Sequence, residues 1–158
     1  MGTTELFLSI PGTVLGSILI DPVAWGALAI AAALGAMVFF SACIAPLVFI
    51  RLEAQIAARF IRAVFPWYYA FGVVVTGVAA LLCGAHAPIA SGLAFLVCLA
   101  FVVARQGLLP AINSARDASM SDPALARRFD RLHRTSVVLN VLQILLLLLA
   151  FAFAFYRI

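Results

Sequence analysis

Lysine is missing from the 158 residues and acids number only six, so the ten basic residues behind the net charge of +4 are all arginines. Charged residues make up 10% of the chain, against about a quarter in an ordinary globular domain. That leaves too little polar surface to cover a water-facing exterior. With 66% hydrophobic residues and a mean hydropathy of +1.21, lipid is the solvent that fits. Other absences narrow the chemistry. No glycine-rich phosphate loop, CxxC pair or Ser/His/Asp set occurs, which disfavours an enzyme. The apolar runs carry no carboxylate, which argues against a carboxylate-driven proton pump. Cys43, Cys83 and Cys98 all lie inside apolar runs without metal-ligand spacing, as small packing residues do. Met1–Ile20 holds Glu5 as its only charge; without a basic n-region, no cleaved signal peptide is expected.

The arginines sit beside apolar runs rather than on a basic folded face, so nucleic acid is not an expected partner, and orientation and anionic lipid explain them better. A membrane helix needs about 20 mostly apolar residues. Four stretches qualify: Val23–Ile50, Val64–Cys83, Ile89–Leu109 and Thr135–Tyr156. The first exceeds the need and is expected to tilt or to continue beyond the membrane. Residues 1–22, broken by Pro11, Gly12 and Gly16, read as an interfacial or re-entrant segment. The expected fold is all-α, a single integral membrane domain over residues 1–158 built as a polytopic four-helix bundle.

The loop after the first span carries Arg51, Arg59 and Arg62, and the loop after the third carries Arg116, Arg127, Arg128, Arg131 and Arg134; the connection Gly84–Pro88 has none. Positive charge stays inside. Both basic loops are therefore expected in the cytoplasm and both termini outside, in a bacterial inner membrane. Pro66 is read as the start of the second helix, where a missing N–H costs little. Pro46 and Pro110 fall within helical pattern and are expected to free the carbonyls of Ala42 and Gln106. Ser121-Asp122-Pro123 predicts an N-cap at Asp122 with proline at N1. The helix that follows would run some 34 residues, about 50 Å, as a cytoplasmic extension of the fourth span.

On that helix Phe129, His133, Ser136, Asn140 and Gln143 recur at spacings of four, three, four and three, within about 80° of arc. A polar stripe entering a bilayer must face protein or water. Interhelical hydrogen bonding is the first expectation. A ligand or metal site using His133 and a proton or ion path are the alternatives. The third helix offers a matching stripe, Gln106, Pro110, Asn113 and Asp117, flanked by Arg105 and Arg116. A short loop makes these helices antiparallel neighbours, so an Asp117–His133 contact is expected to orient the imidazole. Arg105, inside its span, would snorkel or pair with Glu53, Asp117 or Asp130. Trp67-Tyr68-Tyr69 read as interface anchors.

The run Ile44-Ala45-Pro46-Leu47-Val48-Phe49, the later Val64-Phe65-Pro66-Trp67-Tyr68-Tyr69, and Phe129-Asp130-Arg131-Leu132-His133-Arg134-Thr135-Ser136 with Asn140 resemble the transmembrane protein 205-like family. Asn113-Ser114-Ala115-Arg116-Asp117 looks like its bacterial branch, a domain of unknown function. The likeness runs from about Gly35 to Gln143 and implies a four-helix integral membrane protein. A more distant similarity is to copper-resistance D-type four-helix proteins, some of which handle copper or haem; here the first span has no histidine, and Met37 and Met120 are isolated. No cofactor is therefore expected, His133 being the one candidate ligand should haem or a metal ion bind. The function expected is that of an accessory or binding subunit in a larger or homo-oligomeric membrane assembly. Its partners would be membrane lipids and other membrane subunits. A small transporter or a haem- or metal-handling protein using His133 is the alternative.

Overall fold

The computed structural model describes residues 20–121 and 126–157. Among them the chain is helical throughout, in four long antiparallel helices. Helix α1, Pro22–Arg51, starts where Asp21 accepts the Val23 N–H at 2.8 Å, with Pro22 in the first turn; the proline lacks an N–H that the first turn could not have paired anyway. Leu52 and Glu53, both extended, turn the chain into α2, Ala54–Cys83. Gly84, at φ +39°, ends α2; glycine alone enters that region without a Cβ penalty. Helix α3 comprises Pro88–Val103, the turn Ala104–Leu108 and Leu109–Ser121. Helix α4 is Ala126–Phe155. All four are long and apolar enough to cross a membrane. The segment expected over residues 1–22 lies mostly outside the described residues, as does the Asp122–Pro123 cap.

Each helix packs on the next and α4 closes the ring against α1. The axis is lined with small residues, among them Ala33, Ala79, Ala90, Ala94, Ala150 and Ala154. Lipid tails are as apolar as leucine, so helices in a membrane gain little from burying large side chains and more from close backbone approach. Gly26 shows the consequence: a Cβ there would meet Cys83 Sγ at 2.6 Å and the Cys83 backbone nitrogen at 3.2 Å. Hydrogen bonds from side chain to main chain join α3 to α2, from Ser91 Oγ to the Ala80 carbonyl at 2.7 Å and from Cys98 Sγ to the Val73 carbonyl at 3.4 Å. Large apolar side chains cover the outside, Leu81 being 83% exposed. Such a surface is stable in lipid and not in water.

One expectation is corrected. Pro66 lies inside α2, not at its start. The helix begins twelve residues earlier because Ala54–Phe65 contains no breaker, and the carbonyl that Pro66 leaves unserved is that of Arg62, near the arginine-rich end where water can reach it. Pro46 and Pro110 are each preceded by a π-helical turn, Phe40–Ile44 and Ala104–Leu108. There the Ala45 N–H bonds to the Phe40 carbonyl and the Leu109 N–H to the Ala104 carbonyl. The carbonyls expected to be freed, those of Ala42 and Gln106, therefore lie within π-helical turns rather than in regular α-helix. Helix α4 is described from Ala126 to Phe155; its expected start at Asp122–Pro123 lies outside the described residues.

Candidate functional site

Polar groups converge at the arginine-rich end of the bundle. Asn140 of α4 reaches across to two other helices: its Oδ1 accepts from the Tyr68 hydroxyl of α2 at 3.2 Å, and its Nδ2 donates to Ser41 Oγ of α1 at 3.1 Å. Ser41 lies in the π-helical turn before Pro46. The amide thus ties three of the four helices at one level. Behind it stands an aromatic cluster in which Tyr68 packs against Phe40 (centroids 4.9 Å apart), Phe65, Tyr69 and Phe101. Gly72 leaves room for the Phe101 ring, whose carbons lie 2.7 Å from where a Cβ would stand.

One turn further into the bundle, Gln143 is 2% exposed and its Nε2 has no hydrogen-bond partner among the described residues. A buried amide N–H in this state carries its full desolvation penalty. Ser136 donates within its own helix to the His133 carbonyl at 2.7 Å. His133 is exposed and stacks on Phe129, rings 5.9 Å apart and 11° from parallel. Arg116 of α3 lies over the other ring of this pair, its guanidinium carbon 5.9 Å from the Phe129 centroid, a cation–π contact.

The α3 stripe takes a different course. Gln106 and Arg105 are exposed in the π-helical turn, Asn113 is half-buried, and neither Gln106 nor Asn113 forms a side-chain hydrogen bond with another described residue. Asp117 pairs with Arg62 of α2 at 2.6 and 3.2 Å. That is the one ion pair among the described residues, and no hydrogen bond or ion pair joins Asp117 to His133. The expected Asp117–His133 contact is therefore replaced. A guanidinium offers two parallel donors to both carboxylate oxygens, which an imidazole cannot match. Both groups lie beyond the apolar cores of their helices, and hydrogen bonding to Arg62 holds the Asp117 carboxyl below the usual carboxylate range. Arg105 makes none of the expected pairs with Glu53, Asp117 or Asp130; its exposed side chain is free to snorkel.

Two concavities are described, and both open on the outside of the bundle. The larger, about 460 Å³, lies between α1 and α2 with Phe40, Ile44, Val64 and Tyr68 among its walls. The smaller, about 360 Å³, is flanked by Arg131, Arg134, Thr135 and Val138 of α4. The described residues contain no group of three or more His, Cys, Asp or Glu side chains placed to hold a metal ion.

A model of the family described as a domain of unknown function, DUF4149, matches residues 28–121, from early in α1 to the end of α3 and well over half the chain. The chain belongs to the DUF4149 family. No curated protein and no solved structure matches it. In this DUF4149 protein the matched segment contains Ser41, Tyr68 and the Arg62–Asp117 pair, while Asn140 and Gln143 lie beyond it on α4. Reading the sequence alone missed Ser41 and Tyr68 as members of the cluster. Ser41 carried a signal, being the only hydroxyl in the run Pro22–Arg51. Tyr68 did not, because an aromatic triplet at a helix end looks alike whether it faces lipid or a neighbour. The structure divides the triplet: Trp67 is 79% exposed and Tyr69 is 7% exposed.

Proposed function

We propose that this integral membrane protein is non-enzymatic and works as an accessory or binding subunit in a larger or homo-oligomeric membrane assembly. The observation that carries this reading is the Asn140 bridge between Tyr68 and Ser41. The Asn140 amide of the α4 stripe is engaged in joining helices, and the concavities described open outward rather than through the bundle. A rigid body with its working surface on the outside suits a subunit that packs against others. Nine of the ten arginines lie at one end, which supports a cytoplasmic position for that end and periplasmic termini in a bacterial inner membrane. The likeness to transmembrane protein 205-like proteins supports the same four-helix membrane role.

Affinity purification in mild detergent, followed by mass measurement of the intact complex and an absorption spectrum, tests it. A fixed-stoichiometry membrane partner or a homo-oligomer, without visible absorption, is expected. A monomer, or a Soret band or stoichiometric metal that disappears in His133→Ala, would overturn it in favour of a transporting or cofactor-handling protein.

A further inference from the structure

We propose that the groove between α1 and α2 is a binding site for one acyl chain of an anionic phospholipid whose phosphate is held by Arg51. This goes beyond the accessory role and does not depend on it.

The groove, about 460 Å³, is shallow and open along its outer side, as suits a flexible chain lying along the protein surface rather than an enclosed small molecule. Its α1 wall runs from Ala36 to Ile44, eight residues and so about 12 Å along the helix, long enough for the upper half of an acyl chain. The lining is apolar and aromatic, with Phe39, Phe40, Trp67 and Phe71 beside Ile44 and Val64. Phe40 and Ile44 also bound the π-helical turn before Pro46. Single π turns inside α-helices occur often at functional sites, and here the turn builds a wall of the groove.

The charge at the mouth selects the headgroup. Arg51 lies seven residues beyond Ile44, two turns or about 10 Å further on along the same face of α1, past the groove's arginine-rich end and within reach of it through its long side chain. It is exposed and forms no ion pair among the described residues, and neither does Arg59 on the facing helix. Asp117 is already taken by Arg62, so Glu53 is the remaining acid at this corner and leaves it one positive charge in excess. A diacyl lipid with a phosphate and no compensating amine matches an apolar slot capped by unpaired arginine.

The test is native mass spectrometry of the full-length protein, delipidated by detergent exchange and then offered phosphatidylglycerol or phosphatidylethanolamine with identical acyl chains. One phosphatidylglycerol per chain should be retained in preference to phosphatidylethanolamine. Arg51→Gln should reduce that preference by about fivefold, the attraction one basic residue contributes near an anionic surface, without changing the melting temperature. Ala36→Phe and Ile44→Trp each fill the groove from a different position and should lose the bound lipid. Either suffices as long as its melting temperature stays at the wild-type value. Equal retention of the two lipids by the wild type, or undiminished retention by a stable groove-filled variant, would overturn the proposal. So would a groove-filled variant that abolishes a dimer while lipid binding persists, which would assign the groove to a second copy of the chain.

Discussion

Replacing Asn140 by leucine removes both of its interhelical bonds while keeping the side chain's size, so its cost measures what the bridge contributes. The donor–acceptor distances of 3.2 Å to Tyr68 and 3.1 Å to Ser41 lie on the long side of the usual range, especially for a hydroxyl donor. Interhelical polar contacts in a membrane average about 0.6 kcal/mol, and bonds of this length warrant the average rather than the maximum. Asn140→Leu should therefore cost about 1.2 kcal/mol, a fall of about 2–5 °C in melting temperature for a chain of this size. Tyr68→Phe removes one bond and should cost about 0.6 kcal/mol. The Tyr68–Asn140 bond cannot be lost twice, so the double variant should be no less stable than Asn140→Leu alone. A coupling of about 0.6 kcal/mol results. Thermal unfolding in nanodiscs, or equilibrium unfolding in mixed micelles, reads all four corners of the cycle. Strictly additive losses, or an Asn140→Leu variant more stable than wild type, would refute the bridge as a stabilising contact.

Gln143→Leu should leave stability unchanged or raise it by about 1 kcal/mol, because the buried Nε2 carries a desolvation penalty that leucine lacks; a clear loss in the same unfolding assay would mean that the amide is hydrogen-bonded. Gly26→Ala should destabilise by about 1–3 kcal/mol, since its Cβ would press on both the Cys83 sulfur and backbone. Cys83→Ala in the same chain should recover only part of that loss, which melting of the two variants checks. The Arg62–Asp117 pair should be sensitive to acid: its carboxyl is held low in the folded chain, so its contribution is present above the unfolded carboxylate value of about 3.9 and is lost as pH falls through the folded one. Melting of wild type and Arg62→Gln should accordingly differ near neutral pH and converge in acid, the small size of the gap reflecting two half-exposed side chains.

Much of the architecture was legible from composition and spacing. Four long apolar runs dictate four helices, because a backbone in lipid must satisfy its own hydrogen bonds. The 3.6-residue period likewise marked Asn140 and Gln143 as sharing one face of α4. Helix ends were harder to read. Pro66 looked like a boundary, yet the helical pattern before it, Ala54–Phe65, let α2 continue through. The π-helical turns before Pro46 and Pro110 were also hidden, since a proline specifies only that one N–H is absent, not which carbonyls the ladder will leave open.

The partners of the polar groups were decided by the tertiary structure alone. Helical spacing states which residues share a face, but not which neighbour that face meets or at what height. Asn140 turned out to lie level with Tyr68 and Ser41, and Asp117 to meet Arg62 of the preceding helix rather than His133 of the following one. Those pairings follow from how four rods of small residues slide and rotate into close contact, with Gly26 against Cys83 and Gly72 against Phe101 setting the fit. The sequence by itself determined that the chain enters lipid and with how many helices. The side chains that meet at its arginine-rich end were settled by backbone approach, which no single helix encodes.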